Sequence, residues 1–148
     1  MVKVQVSKTV DAPQDKIFSV ITDFEKLPTR FPNTYQSLKV IDRSANSVTV
    51  EEDVVFGGRK LHQITRHAFE AQHLLRSEVI DGDTKGTIVE IILDPEPRDN
   101  FKTKVSVNAD LKAGKLGTMV GVFAKGKIKS GLEHRIAEFE KIVNQGSS

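Results

Sequence analysis

The sequence predicts an α+β domain in which a seven-stranded antiparallel sheet is followed by one long C-terminal helix. Between residues 35 and 111, apolar and polar residues alternate in six short runs, which is the period of strands with one buried face. From Lys115 to Asn144, apolar residues instead recur every three or four positions, as in a helix that packs one face on a core. The turns between the six runs are too short for parallel crossovers, so the strands are expected to be antiparallel.

The first strand and two short helices are predicted before residue 35. Valines alternate with polar residues across 2–6, which indicates the first strand. The segment 11–15 supplies a turn, a proline suited to the first helical position and an acid for the first turn. Apolar residues at helical spacing follow across 17–24. Pro28 and Pro32 interrupt this helix and leave room for one further turn, so a bent helical pair is expected.

The remaining six strands form a predicted meander whose turns are rich in glycine, asparagine and aspartate. The last strand alternates most regularly, with one apolar face and one face of lysine, serine and asparagine. One side of the sheet is therefore expected to face water. The predicted strands span residues 35–43, 47–56, 60–71, 73–80, 85–94 and 100–111.

The long helix carries a buried stripe in its second half and three glycines in its interior. The apolar residues of its first half point away from this stripe, so a bend is expected. Each interior glycine costs roughly 0.5–1 kcal/mol relative to alanine. The glycines Gly121, Gly126 and Gly131 either permit close packing or a kink, or leave room for a ligand beneath the helix. The predicted stripe consists of Ile128, Leu132, Ile136, Phe139 and Val143.

Composition excludes several classes of function. The chain has 148 residues, of which 38% are hydrophobic and 28% charged, which is ordinary for one globular domain spanning 1–148. It has no cysteine, which excludes disulfides and thiolate metal sites and fits a reducing, cytoplasmic compartment. A net charge of +2 does not indicate nucleic-acid binding. No apolar run approaches the roughly 18 residues of a membrane span, so at most a transient membrane contact is expected.

The order of strand, short helix pair, six strands and long helix resembles the START-like, birch-pollen-allergen-like helix-grip superfamily (SRPBCC). Short segments of the sequence are similar to those of its polyketide cyclase/dehydrase and coenzyme Q-binding branch, and the resemblance covers essentially the whole chain. The glycine-rich stretch of the plant allergen branch is absent after the second strand, so the resemblance does not extend to plant hormone binding. The segments that carry the resemblance are Val10-Asp11-Ala12-Pro13, Ile17-Phe18, residues 21–28, Phe31-Pro32, Phe56-Gly57-Gly58, residues 79–83 and Gly86-Thr87.

This resemblance implies a strongly curved sheet that wraps the long helix and leaves a mostly apolar cavity between them. Members of the superfamily receive lipids, quinones, sterols, polyketides or other hydrophobic molecules in that cavity. The resemblance therefore implies a hydrophobic small-molecule partner. No cofactor is expected. It implies a cavity and not a particular reaction.

No sequence motif indicates a metal site, a phosphate site or covalent catalysis. The stretch Gly57-Gly58-Arg59-Lys60 lacks the spacing of a P-loop and does not open a helix, so a hairpin turn is expected. The four histidines show no metal-binding motif, and no GxSxG nucleophile elbow is present.

Polar residues at inward positions are the candidates for chemistry. Glu52 shares a strand face with an otherwise apolar row, where it needs a partner or a raised pKa, unless it lies near an edge or bulge and reaches water. Strand 60–71 is ambiguous. One register turns Gln63, Thr65 and His67 inward together with two large apolar residues, and the other turns His62 and Arg66 inward. We prefer the first register, although a buried histidine can also be purely structural.

The sequence thus predicts a binder of a hydrophobic small molecule, as carrier, chaperone or sensor. One alternative is a metal-free cyclase, dehydrase or isomerase with Glu52 or His67 as the acid or base. A second alternative is a protein-interaction module whose cavity is vestigial. Lys127 is either solvated or meets an acidic ligand head. No oligomeric state is specified. The predicted ligand-binding residues are Phe31, Tyr35, Val50, Glu52, Val54, Gln63, Thr65, His67, Val105, Val107, Val120, Phe123, Ala124 and Lys127.

Overall fold

The computed structural model describes residues 2–56, 58–112 and 118–145, and for residues 2 and 118–124 it describes the backbone alone. The strands are β1 (Val2–Val10), β2 (Tyr35–Arg43), β3 (Ser47–Phe56), β4 (Arg59–Glu70), β5 (Leu74–Gly82), β6 (Ile88–Glu96) and β7 (Asp99–Leu111). The helices are α1 (Gln14–Ile21), α2 (Leu27–Arg30), which follows a 3₁₀ turn at Phe24–Lys26, and α3 (Thr118–Gln145).

The seven strands form one curved antiparallel sheet in the order β1-β7-β6-β5-β4-β3-β2. Strands β2 to β7 make the predicted meander, and β1 pairs beside β7 along its whole length. The fold class predicted from the sequence is therefore confirmed. The bounds of β2 and β3 match the prediction, whereas β5 and β6 end two residues later than predicted.

Register shifts interrupt several of the strand pairs. Two lie between β2 and β3, at Tyr35/Ser37 and at Val40/Asp42, and one lies between β4 and β5, at Ile64/Thr65. Because such bulges bend a strand and increase its twist, they help the sheet to curve around the inner face.

The inner face of the sheet carries the core. In β7 the side chains of Thr103, Val105, Val107 and Ala109 are buried, and the positions between them face outward or are half-buried. The hydroxyl of the fully buried Thr103 donates to the Ala12 carbonyl at 2.8 Å, which satisfies the one polar group in this row. The period-two pattern of the sequence thus corresponds to one buried face and one solvent-exposed face of the sheet.

Helix α3 lies over this face with the predicted stripe turned inward. Ile128, Leu132, Ile136 and Val143 are buried, and Phe139 is half-buried against the core. The helix packs against β1 and α1. The backbone of Val120 and Phe123 is helical, but the orientation of the first half of the helix lies outside the described side chains.

Helix α3 rests on β1 and α1, and the inner face of β4 is contacted by Phe18 of α1 and by Phe24 of the 3₁₀ turn. The space that remains is the cavity described below. No helix among the described residues is both long and apolar enough to cross a membrane.

Candidate functional site

A cavity of about 620 Å³ lies between α3, α1 and the concave face of the sheet. Its volume falls within the roughly 300–1,000 Å³ of small-molecule sites. Most of its wall is apolar, with side chains from β3, β5, β6, β7, α1 and α3. Polar side chains interrupt this wall, and they come mainly from β3, β4 and α3.

Glu52 is the buried carboxylate of this wall. It lies in the alternating row of β3 between Val50 and Val54, and only 4% of its surface is exposed. Gln63 Nε2 donates to Glu52 Oε1 at 3.0 Å, and Thr65 Oγ1 donates to the same oxygen at 2.9 Å. The second oxygen, Oε2, is buried and has no hydrogen-bond partner. The arrangement fixes one carboxylate oxygen and leaves the other without a partner.

Burial sets the protonation of Glu52. Loss of hydration raises the pKa of this carboxyl above its ordinary value, since the charged form is the one that burial disfavours. The hydrogen bonds from Gln63 and Thr65 and the positive charge of Arg135 lower the pKa, but not enough to cancel this effect. Glu52 therefore keeps its proton to a higher pH than an exposed glutamate does.

Arg135 and Tyr35 belong to the electrostatic surroundings of Glu52. Burial raises the pKa of the Tyr35 hydroxyl, the Arg135 charge lowers it and the Glu52 charge raises it. Arg135 is not among the residues predicted from the sequence, although helical geometry indicates it. Seven residues turn a helix by about 700°, so Arg135 lies within about 20° of the buried Ile128. An arginine on a buried stripe is a signal that could have been used.

Strand β4 adopts the first of the two predicted registers. Leu61, Thr65 and His67 are buried, whereas His62 and Arg66 are exposed. Gln63 pairs with Glu52 across the strands, and this places the polar side chains of the two strands on one wall.

His67 is the second buried polar side chain of the wall, and 8% of its surface is exposed. Its Nδ1 lies 2.6 Å from Ser77 Oγ, and its ring stacks on Phe24 with centroids 4.5 Å apart and planes 21° apart. Its Nε2 is buried without a partner. Burial lowers the pKa of His67 to about 4, so the ring is neutral at physiological pH. Ser77 was not predicted, although Leu75, Ser77 and Val79 share one face of β5.

Glu52 and His67 share no hydrogen bond among those of the described residues. His67 follows Gln63, the partner of Glu52, by four residues along β4. At about 3.3 Å per residue the two side chains are rooted roughly 13 Å apart along the strand direction. They are two separate polar positions and not an acid-base pair. Among the described residues, no group of three or more histidines and carboxylates could hold a metal ion.

Three exposed cations line the cavity. Arg59 begins β4, Lys112 follows β7 and Lys127 lies on α3; all three line the cavity and are exposed. Within the described chain, none of them has an ion pair. This end of the cavity therefore carries an uncompensated positive charge.

The glycines of α3 do not serve close packing at the two positions whose surroundings are described. A Cβ added at Gly126 or at Gly131 would meet nothing within 4 Å. Gly131 lines the cavity, whereas Gly126 does not. Gly131 thus lies at the exposed border of the cavity with open space around it, and Gly121 lies outside the described side chains.

The cavity brings together most of the predicted ligand-binding residues. Phe31 and Val50 are absent from the described wall. Phe31 packs on Phe139 with ring centroids 4.6 Å apart, and Val50 is fully buried in the core. Val120, Phe123 and Ala124 lie outside the described side chains. The predicted residues that line the cavity are Tyr35, Glu52, Val54, Gln63, Thr65, His67, Val105, Val107 and Lys127.

Comparison with protein families gives a match over residues 1–140 to the family described as polyketide cyclase/dehydrase and lipid transport. No curated protein sequence matches the chain at a significant level.

Solved structures share the fold at low sequence identity. A protein from Thermus thermophilus superimposes with a TM-score of 0.83 at 17% identity, covering 99% of this chain and 100% of its own. A START superfamily protein from Mycobacterium smegmatis gives 0.81 at 22% identity, covering 97% of both chains. The Zhui aromatase/cyclase from a Streptomyces species gives 0.66 at 17% identity, covering 97% of this chain and 88% of its own.

Proposed function

Because the chain belongs to the polyketide cyclase/dehydrase and lipid transport family, we propose that it binds a hydrophobic small molecule, such as a lipid, a quinone or a polyketide-like compound, between the sheet and α3. Its role would be that of a carrier, chaperone or sensor, in the cytoplasm as expected from the lack of cysteine. The observation that carries the proposal is the cavity of about 620 Å³ with a mostly apolar wall.

The size of the cavity supports a ligand. Protein interiors are close-packed, and voids larger than a water molecule are few. A space of about 620 Å³ is far larger than a packing defect. The free Glu52 Oε2 and His67 Nε2 add two hydrogen-bonding positions to an apolar wall, which is the composition of a typical small-molecule site.

The cationic end of the cavity favours a ligand with an acidic or strongly polar head. Arg59, Lys112 and Lys127 would attract such a head, while the apolar body occupies the interior. This orientation matches the proposed role of Lys127 and places the charge of the ligand where water can still reach it.

The cavity and the outer surface together argue against the interaction-module alternative. A vestigial cavity would be filled by bulky side chains, and an apolar patch would lie outside. The large hydrophobic side chains exposed among the described residues are Ile41 on β2 and Phe101 on β7. These two strands lie far apart in the sheet order, so the two side chains do not form one patch.

Native mass spectrometry of freshly purified protein, followed by solvent extraction, tests the proposal. We expect a fraction of the protein to carry one apolar molecule of constant mass, which the extract contains. The proposal is contradicted if the protein carries no such molecule and also fails to take up any added acyl or quinone compound while folded.

A second candidate function is a cyclase or dehydrase reaction with Glu52 as acid or base. The observation that favours it is a buried carboxyl with a raised pKa and one oxygen free toward the cavity. The likeness to an aromatase/cyclase is consistent with such a reaction.

Glu52→Gln separates the two functions. If Glu52 is catalytic, this change keeps most of the affinity for a poly-β-ketone mimic and removes its conversion, because an amide cannot exchange the proton. The neighbouring Glu51→Gln, on the exposed outer face, serves as the control and should change neither. If the unmodified protein converts nothing and Glu52→Gln alters only affinity, Glu52 orients the ligand and the catalytic candidate fails.

A further inference from the structure

We infer that the loop between β5 and β6, residues 83–87, is a positioning element of the site, and that its Thr84 controls the hydrogen bonding of Glu52 through Gln63. Thr84 is a positioning residue, because it acts on the carboxyl through another side chain. The inference rests on the proposed function, in which Glu52 is a polar group of the ligand cavity, and it adds the element that controls this group.

A chain of hydrogen bonds leads from the loop to the buried carboxyl. Thr84 Oγ1 donates to Gln63 Oε1 at 3.1 Å, and Gln63 Nε2 donates to Glu52 Oε1 at 3.0 Å. All three side chains line the cavity. The Thr84 hydroxyl thus occupies the oxygen of the Gln63 amide and holds the side chain where its NH₂ group donates to the carboxyl.

The loop is fixed on β4 directly beside Gln63. Gly82, the last residue of β5, pairs with Gln63 and has a φ of +110°, a conformation that favours glycine. A Cβ at Gly82 would collide with the His62 carbonyl oxygen and lie 2.7 Å from Gln63 Cα. The Asp83 N–H donates to the His62 carbonyl at 3.3 Å, and the His62 N–H donates to Asp83 Oδ2 at 3.2 Å. Thr84 therefore follows a segment that β4 itself holds in place.

The other end of the loop holds one of the exposed cations of the cavity. Thr87 Oγ1 accepts from the Lys112 N–H at 2.9 Å and donates to the Lys112 carbonyl at 3.3 Å. The Lys112 side chain passes over Gly86, where an added Cβ would lie 2.8 Å from Lys112 Cδ. One short loop thus contacts both the partner of the buried carboxyl and a cation proposed to attract the ligand head.

The hydrogen bond that Thr84 supports influences the ionisation of Glu52. Burial is the largest influence on the pKa of Glu52 and raises it, and the hydrogen bond from Gln63 is the next and lowers it. A donor on the oxygen of an amide makes its N–H a stronger donor, so Thr84 strengthens the bond from Gln63. Loss of the Thr84 hydroxyl should therefore raise the pKa of Glu52 further, while the bond from Thr65 at 2.9 Å keeps the carboxyl in place.

Thr84→Val tests the inference, because it removes the hydroxyl and keeps the shape of the side chain. The measurement is an NMR titration of the Glu52 carboxyl carbon in the full chain. We expect the midpoint to move to higher pH in Thr84→Val and to stay unchanged in Thr84→Ser, which keeps the hydroxyl. The matched control is Thr49→Val on the outer face of β3, which should also leave the midpoint unchanged.

A second background shows whether Thr84 acts through Gln63. Gln63→Leu removes the amide, so it should raise the midpoint of Glu52 at least as much as Thr84→Val does. Adding Thr84→Val to Gln63→Leu should then change nothing more. Tyr35 and Arg135, which influence Glu52 or are influenced by it through charge, are the same in every variant. A shift that persists in the Gln63→Leu background contradicts the proposed route.

One readout needs no variant. In the unmodified protein, the Gln63 side-chain NH₂ resonances should move with the same midpoint as the Glu52 carboxyl, because the two groups share a hydrogen bond. NH₂ resonances that do not follow Glu52 overturn the inference, even if Thr84→Val fails to fold.

The titrations require no ligand, so their outcome is separate from that of the proposed function. An unmoved Glu52 midpoint in folded Thr84→Val overturns the positioning role of Thr84 and leaves the hydrophobic-ligand proposal standing. If the folded, unmodified protein binds no added acyl or quinone compound, the proposed function fails, and with it the role of the loop in a ligand site. A midpoint raised by Thr84→Val, restored in Thr84→Ser and unaffected by Thr84→Val once Gln63 is leucine supports the inference.

Discussion

His67 is a neutral histidine held in an apolar wall, and its burial makes the stability of the protein depend on pH. Its pKa is lowered to about 4 in the folded protein, while the ordinary value is 6.5. Between these two pH values the unfolded chain binds more protons than the folded one. The contribution of His67 to stability is therefore complete above about pH 6.5 and is lost as the pH falls toward 4.

The lowered pKa of His67 predicts that the variants His67→Phe and His134→Gln differ in how much stability they lose at low pH. Lowering the pH from 7 to 4 should cost the unmodified protein roughly 3 kcal/mol through His67, since one pKa unit corresponds to about 1.4 kcal/mol. Urea unfolding at several pH values should show this loss in the unmodified protein and in the control His134→Gln, whose ring is largely exposed. The loss should be missing from His67→Phe.

Glu52 gives the stability of the protein the opposite pH dependence. Because its pKa is raised in the folded protein, its stabilising contribution is present at low pH and declines as the pH rises through the folded pKa. Both His67→Phe and the unmodified protein contain Glu52, so the difference between their pH dependences reports the His67 contribution alone. If the two proteins have the same pH dependence, His67 is solvated or partnered, and its place as a free polar atom of the cavity is wrong.

The inward position of Glu52 could be predicted from strand parity, but its environment could not. The alternative in which Glu52 lies at an edge or bulge and reaches water is wrong. Strand β3 lies inside the sheet, and Glu52 pairs with Leu38 on one side and Gln63 on the other. The partners of its two oxygens depend on three other segments of the chain, and no local pattern encodes them.

At the scale of elements, β4 shows the limit of periodicity. Ile64 and Ala68 share one parity, and Leu61 and Phe69 share the other, so both registers had apolar support. Pairing with β3 resolves the register, since it sets Leu61 beside Val54 on the inner face. A strand with apolar residues on both faces therefore needs its neighbour before its orientation can be stated.

Phe31 shows that hydrophobic periodicity does not predict side-chain directions at the end of a short helix. Phe31 was predicted to bind the ligand, but the structure turns it into the core against Phe139. Phe31 is the C-cap residue directly after α2, and its backbone N–H donates to the Leu27 carbonyl at 2.8 Å. Because the chain leaves the helix at Phe31, its side-chain direction follows from the cap geometry and not from a helical or strand period.

Helix α3 was predicted well where its stripe is regular. The steps of three and four from Ile128 to Val143 correspond to the buried face. The role of the interior glycines could not be settled from the sequence, because close packing, a kink and an open space all favour glycine. The described surroundings of Gly131 identify open space at that position.

At the scale of the whole molecule, the fold class was accessible from the sequence because it follows from the change of period between residues 35–111 and the C-terminal helix. The cavity could not be predicted from the periodicity of the sequence. A cavity is the space left between α3 and the strands on which it does not rest, and hydrophobic periodicity only states which faces turn inward. The resemblance to a family, and not the periodicity, indicated that the inward faces do not meet.

The central claim is that this space receives a hydrophobic molecule, and a pair of glycine variants tests it most directly. Gly131→Leu adds an apolar side chain at the exposed border of the cavity, whereas Gly126→Leu adds the same side chain on α3 outside the described cavity wall. Neither clashes with the described atoms around it, and both replace glycine by a better helix former, so neither variant should be destabilised.

Titration of the unmodified protein and both variants with an anilinonaphthalene sulfonate dye and with a long-chain acyl probe provides the measurement. We expect one molecule bound per chain, an affinity reduced by about tenfold or more in Gly131→Leu, and an unchanged affinity in Gly126→Leu. Equal affinities in the two folded variants, or no saturable binding by the unmodified protein, would contradict the claim.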